Sequence, residues 1–316
     1  MADLKPPVPH ESERFKRRDA QTHDGLPAIY TEFVHRLSYF IIEEMCEQAN
    51  LRDGDVVLDV GSGTGMASTA VAEIVAPTGR VLGIDHSRAL VQEARRGAPR
   101  GIPLESLPLE YLVLDAENLE LEDASFDAVV SFSSIMHFPN PDRAISEMYR
   151  VMKPGGRLVV TYTALHPEAF GERVRHALVA VTGRVLSLLH PQLRAPQAVG
   201  VVADRYLPRL DQSAEPGWFE REGGARIASA IQKAGFVNLH QTWVGRNIVF
   251  NSPDEFFDAQ LMINSDLRTR ASLASAEQKE KLRTVVVARA RRVLKAGGTL
   301  VYPFGAVVIR ADRAAG

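Results

Sequence analysis

Val57-Leu58-Asp59-Val60-Gly61-Ser62-Gly63-Thr64-Gly65 is the stretch that decides how this chain folds. Val56–Val60 is short and mostly apolar, as suits a strand buried on both faces of a parallel sheet. The glycines then make a tight turn into a helix whose inward positions are Ala67, Val71, Ala72, Ile74 and Val75. Gly61 permits a sharp exit from the strand, Gly63 lets backbone approach a ligand with no Cβ in the way, and Gly65 brings the next helix in close. The N–H groups at that helix's start face the ligand. Many nucleotide binders share such a loop, so by itself it names no ligand.

Outward from the loop, strands and helices alternate. Strands are expected at Val81–Ile84, Tyr111–Leu114, Ala128–Phe132 and Arg157–Thr163. Ser87 caps one intervening helix. Asn140 caps another, with Pro141 at its first position, and Lys153-Pro154-Gly155-Gly156 stops it. This alternation specifies a parallel, doubly wound α/β sheet. A helix over about 27–49 precedes it. After residue 163 the alternation lapses, then resumes with a helix over 224–234 and a long strand over 236–250. Two helices with capping boxes follow, Ser252 with Glu255 and Ser275 with Gln278, and a final strand covers about 299–309. The expected organisation is an N-terminal arm and helix (1–49), a binding core (50–163), a helical lid or substrate insertion (164–222), and the rest of the core sheet with inserted helices (223–316).

The strand ends carry the chemistry. Asp85 lies 20 residues beyond Gly65, where a carboxylate can accept both hydroxyls of an adenosine ribose. The spacing is G-x-G-x-G, not the G-x-G-x-x-G of dinucleotide binders, and Asp59 beside the loop suits a cationic group better than a pyrophosphate. Asp115 offers an acceptor to an adenine amino group. An Asp after a strand is often only a helix cap, so the weight rests on the set in order.

Asp59-Val60-Gly61-Ser62-Gly63-Thr64-Gly65, Gly83-Ile84-Asp85, Asp115-Ala116-Glu117 and Arg150-Val151-Met152-Lys153-Pro154-Gly155-Gly156 together resemble class I S-adenosylmethionine-dependent methyltransferases, in particular the ubiquinone/menaquinone-biosynthesis-like branch. The resemblance is strong over 50–163. It implies a Rossmann-like seven-stranded sheet with one antiparallel strand, S-adenosylmethionine as cofactor and S-adenosylhomocysteine as product. Carried over by position, Asp59 would approach the methionine ammonium, with Gly61, Ser62, Gly63 and Gly65 forming the loop around the methionine part. Asp85 with His86 would take the ribose, Asp115 with Ala116 the adenine, and Ser131 with Phe132 the methionine side.

Methyl transfer is an in-line displacement on a sulfonium, so alignment and a dry pocket are the first needs. A general base is needed only for some nucleophiles. The candidates are His137, Tyr162 and His166, each of which could equally be a packed or surface residue. No metal is expected. The insertion's apolar spacing at Phe170, Val174, Leu178, Val181, Val185 and Leu188 reads as a lid over the acceptor.

Composition narrows the rest. The chain has 316 residues, 45% of them hydrophobic, and a net charge of −2, which suits a globular protein and gives no electrostatic footprint for nucleic acid. A nucleic-acid adenine methylase would carry Asn-Pro-Pro-Tyr or a near variant where this chain has Ser131-Phe132-Ser133-Ser134. The single cysteine, Cys46, excludes an intramolecular disulfide and a Cys-rich metal site. No membrane span or signal peptide is apparent, so a cytoplasmic enzyme acting on a small-molecule methyl acceptor is expected, with a homodimer left open. Two alternatives stand beside it: a protein of this fold that binds S-adenosylmethionine without transferring methyl (a cyclase-like enzyme or a binding module), and a nicotinamide-dependent oxidoreductase, which the glycine spacing disfavours.

Overall fold

A computed structural model describes residues 28–97, 103–164, 192–209 and 218–316. The N-terminal arm, His166 and most of the expected lid lie outside these residues.

Helix α1 (Ala28–Ala49) buries a stripe made by Leu37, Ile41, Ile42, Met45, Cys46 and Ala49, spaced for one helical face. β1 (Val56–Val60), α2 (Met66–Val75), β2 (Arg80–Asp85), α3 (Arg88–Arg96) and β3 (Leu109–Val113) follow. Next come β4 (Phe126–Ser131), α4 (Pro141–Val151) and β5 (Met152–Thr163). Within the expected insertion lie β6 (Gln192–Arg194), α5 (Ala195–Tyr206) and the start of α6 (Trp218–Lys233), and β7 (Val237–Phe250) follows it. The chain ends with α7 (Pro253–Ile263), α8 (Ser265–Leu273), α9 (Ala276–Lys295) and β8 (Thr299–Asp312).

The caps form as their residue types dictate. Ser87 Oγ accepts the Leu90 N–H at 3.3 Å, and Asn140 Oδ1 accepts the Arg143 N–H at 3.1 Å. Ser275 and Gln278 complete a reciprocal capping box. β5 begins at Met152, taking in the Lys153–Gly156 run expected before it, and two further features depart from the sequence reading. Three helices stand between β7 and β8 instead of two, the extra one being α8, whose N-cap Asn264 accepts the Leu267 N–H at 3.0 Å. A three-residue strand, β6, also joins the expected seven.

The chain divides into two compact units: Met1–Thr163 with Pro216–Val244 and Ala306–Gly316, and Ala164–Glu215 with Gly245–Gly305. The grouping of 245–305 with the insertion is not displayed by the sequence pattern. In the first unit the strand order is β3-β2-β1-β4-β5-β8, parallel until β8 pairs antiparallel with β5 from Arg157↔Asp312 to Thr163↔Ala306. β7 pairs with β8. Chain order reverses between β1 and β4, so a crevice opens beyond their carboxyl ends, where ligands of open α/β sheets bind. In the second unit β6 runs parallel to the start of β8. There Arg270 is buried, donating to the Pro208 carbonyl at 2.9 Å and pairing with Asp204. Arg283 bridges Asp254 and Asp258.

Candidate active site

Sterics set the glycine loop. Gly61, Gly63 and Gly65 have φ of 77°, 56° and 87°, in the left-handed region where a side chain is strained. A Cβ on Gly61 would collide with Ser134, and one on Gly65 would collide with the Tyr111 hydroxyl. A Cβ on Gly63 would meet nothing within 4 Å. The three glycines therefore answer different demands. Two are forced by neighbouring side chains, and Gly63 stands bare toward open space. The same Tyr111 ring lies where a Cβ of Gly83 would come within 2.5 Å of it, so one aromatic from β3 accounts for both Gly65 and Gly83.

Asp59 lies beneath this loop, fully buried, with Oδ2 accepting the Ser68 hydroxyl at 2.5 Å. Its other oxygen, Oδ1, has no hydrogen-bond partner in the protein, and neither has the buried Ser62 Oγ. Burial pushes the Asp59 carboxyl up to about 7, helped by the nearby Asp85 charge and opposed by the Ser68 hydrogen bond. Cys46 on α1 is also buried, its thiol pushed up to about 12, first by burial and then by Asp59. It is a packing residue.

A cleft of about 360 Å³, counting space open to solvent, lies at the carboxyl ends of β1, β2 and β3. Of the residues expected at the site, Gly61, Asp85, His86, Asp115, Ala116 and His137 line it. Asp85 is mostly buried. Its Oδ2 accepts the Gly63 N–H at 2.9 Å and its Oδ1 the Ser87 N–H at 2.8 Å, with His86 Nδ1 at 3.6 Å. Each oxygen thus already holds one backbone donor, and it is the remaining lone pair on each that can meet a ligand. Asp115 Oδ1 accepts the Glu117 N–H at 3.0 Å, which fixes the turn after β3.

Other expected residues sit elsewhere. Ser131 is buried, its hydroxyl 2.7 Å from that of Ser134, which donates to the Val60 carbonyl. Phe132 is half-buried and, like Ser131, is not among the residues lining the cleft. Tyr162 is 1% exposed and its ring meets Phe219 edge-on at 5.6 Å, so it is packed in the interior. Ile84, Leu114, Glu117, Phe138 and Pro139 also line the cleft. The signal available is adjacency: Ile84 directly precedes Asp85 at the end of β2, and Leu114 directly precedes Asp115 just beyond β3.

Residues 58–160 match the methyltransferase-domain family. This segment resembles class I methyltransferase domains. The chain is 32% identical over 162 residues to the demethylmenaquinone methyltransferase of Symbiobacterium thermophilum, covering 49% of this chain and 61% of the relative. It is 38% identical over 142 residues to the ubiquinone/menaquinone biosynthesis C-methyltransferase of Hydrogenovibrio crunogenus, covering 45% and 54%. The chain thus spans little more than half the length of these curated relatives. A solved structure from Anabaena variabilis, named for a methyltransferase of an antibiotic biosynthesis pathway, shares the fold at 17% identity and a TM-score of 0.50, over 85% of this chain and 96% of that one.

The matched segment contains the whole glycine loop and the cleft-lining residues. No group of three or more His, Cys, Asp and Glu able to hold a metal occurs among the described residues. None of the described helices is long and apolar enough to cross a membrane.

Proposed function

We propose that this chain transfers a methyl group from S-adenosylmethionine to an O, N or C atom of a moderately apolar small molecule. The observation that carries the reading is the pair of buried polar atoms without protein partners, Asp59 Oδ1 and Ser62 Oγ, set around a loop whose Gly63 is bare toward open space. Leaving a buried polar atom unpaired costs about 1–3 kcal/mol, so these atoms favour a ligand that brings donors and acceptors of its own. An amino-acid moiety does so: its ammonium suits Asp59 and its carboxylate suits the Ser62 hydroxyl.

On this reading Gly61, Ser62, Gly63 and Gly65 surround the methionine part, Asp85 and His86 hold the ribose, and Asp115 and Ala116 hold the adenine. When bound, S-adenosylmethionine supplies a methyl carbon made electrophilic by its sulfonium. Ile84, Leu114 and Phe138 exclude water from the nucleoside end. His137, at the cleft, is the group placed to take a proton from an acceptor that must lose one. His166 remains a candidate base on sequence grounds. The interior position of Tyr162 argues against its acting as one. The near-neutral charge supports a small-molecule acceptor over nucleic acid. Relatives named as quinone-biosynthesis methyltransferases make a carbon of an electron-rich ring the first acceptor class to test.

The test is calorimetric binding of S-adenosylmethionine, followed by incubation with a panel of small O, N and C nucleophiles. Stoichiometric S-adenosylhomocysteine with a methylated product supports transfer. Tight binding with no turnover on any acceptor supports a binder of this fold that does not transfer methyl. No binding refutes both.

A further inference from the structure

The outer wall of the cleft, His137-Phe138-Pro139, is built on a single turn of 3₁₀ helix, Ile135–His137, and the two residues after it. So short a segment does not hold its own position, and three of its contacts serve to fix it. The His137 N–H donates to the Ser134 carbonyl at 2.9 Å. The Asn140 N–H donates to Glu117 Oε1 at 2.8 Å, tying the wall to the turn after β3. The third comes from far along the chain: the indole Nε1–H of Trp218 donates to the Phe138 carbonyl at 2.7 Å.

Trp218 is itself held in place. Its ring meets Phe219 edge-on at 5.5 Å, and Phe219 meets the buried Tyr162 of β5 at 5.6 Å. Gly223, at φ 59° and ψ −152°, breaks α6 behind this turn with backbone that only glycine adopts readily, so residues 218–222 are set apart from the regular helix that follows. That regular part is fastened to α4 by the Arg226–Asp142 ion pair. Trp218 therefore reaches the cleft wall from a fixed base, and it does so from outside the matched segment, residues 58–160.

We propose that Trp218 is a positioning residue for the nucleoside end of the cofactor cleft, acting through the Phe138 carbonyl without touching the ligand. The proposal rests on the reading that the cleft binds S-adenosylmethionine. It makes the nucleoside site incomplete within the methyltransferase domain alone. It also links that site to the last residues of the expected insertion.

The test uses the full chain, with S-adenosylhomocysteine and 5′-methylthioadenosine as probes; the second lacks the amino-acid end. Trp218→Phe keeps an aromatic ring beside Phe219 and removes the N–H donor. Loss of one hydrogen bond to a backbone carbonyl predicts calorimetric affinity lower by about three- to tenfold. The loss should be the same for both probes, and the unfolding midpoint should fall by no more than the few degrees that one hydrogen bond contributes. In Trp243→Phe, where Trp218 is the sole tryptophan, saturating S-adenosylhomocysteine should shift the indole emission. Unchanged affinity in the folded Trp218→Phe protein, or a loss confined to S-adenosylhomocysteine, overturns the proposal. If Trp218→Phe does not fold, the emission experiment decides, and an emission that ignores the ligand overturns it. A wild-type chain that binds neither probe refutes the cofactor reading, and this inference with it.

Discussion

Replacing Asp59 by Asn asks whether the acid beneath the glycine loop is held for a cationic ligand. In the folded chain its carboxyl loses its proton near pH 7, against an ordinary value of 3.8, because burial penalises the charged form more than Ser68 stabilises it. Between those values the native state holds a proton that the unfolded chain has released. The stability this contributes is complete below about pH 4 and is lost as pH rises through 7. At about 1.4 kcal/mol per pH unit, the rise from 3.8 to about 7 amounts to at most about 4 kcal/mol. Asn cannot ionise, and its carbonyl can still accept the Ser68 hydroxyl. Its amide would occupy the position of the unpartnered Oδ1, at a cost of about 1–3 kcal/mol that does not vary with pH. Urea unfolding midpoints measured from pH 4 to pH 9 should therefore show Asp59→Asn gaining on wild type by up to about 4 kcal/mol as pH rises. Parallel pH profiles for the two proteins would refute the buried-acid account.

The ligand half of the argument has its own readout. An ammonium beside Asp59 favours the carboxylate, so binding at pH 6 should expel a proton from wild type. Calorimetry of S-adenosylhomocysteine in two buffers of different ionisation enthalpy counts that proton. Asp59→Asn should bind more weakly and release correspondingly fewer protons, since Asp85, His86 and His137 are unchanged in it. An equal proton count in the two proteins would place the ammonium elsewhere.

Asp85→Ala removes acceptors for the Gly63 and Ser87 N–H groups as well as for a ribose, and charge-assisted bonds contribute about 1.5–3 kcal/mol each. S-adenosylhomocysteine affinity should fall at least about tenfold, and Asp85→Asn, which keeps one acceptor, should be milder; unchanged calorimetric affinity in Asp85→Ala would sink the ribose assignment. Gly63→Val should cost about 1–2 kcal/mol of stability for a left-handed residue, yet abolish cofactor binding, because its side chain would fill the space the structure leaves open there; circular dichroism and calorimetry on the same sample check both halves. Gly65→Ala should destabilise the chain by about 1–3 kcal/mol through collision with Tyr111, and adding Tyr111→Phe should recover part of that, as thermal unfolding of the single and double variants would show.

The last pair of variants marks the boundary of what the residues alone disclose. The loop, the strand ends and the caps at Ser87, Asn140 and Ser275 were readable because each is a local event: a backbone that must turn, or a helix start that needs an acceptor. The ligand-facing role of Gly63 was readable for the same reason. The reason Gly65 is glycine was not, because it lies in a tyrosine 46 residues away that packs across β2 onto the loop. Tyr162 and Phe132 stand at the ends of strands β5 and β4, in positions that look alike in sequence. Only packing separates an interior ring edge-on to Phe219 from a half-buried one, since the partner arrives from the far end of the expected insertion. Trp218 belongs to this second kind. Nothing in its neighbourhood along the chain marks an indole beside Gly217 and Phe219 as the donor to a cleft wall 80 residues earlier. The local events build a site able to hold the cofactor's parts in order. The distant contacts hold its walls in place, so variants at the glycines should act chiefly on ligand contact or loop strain, and a variant at Trp218 on affinity without either.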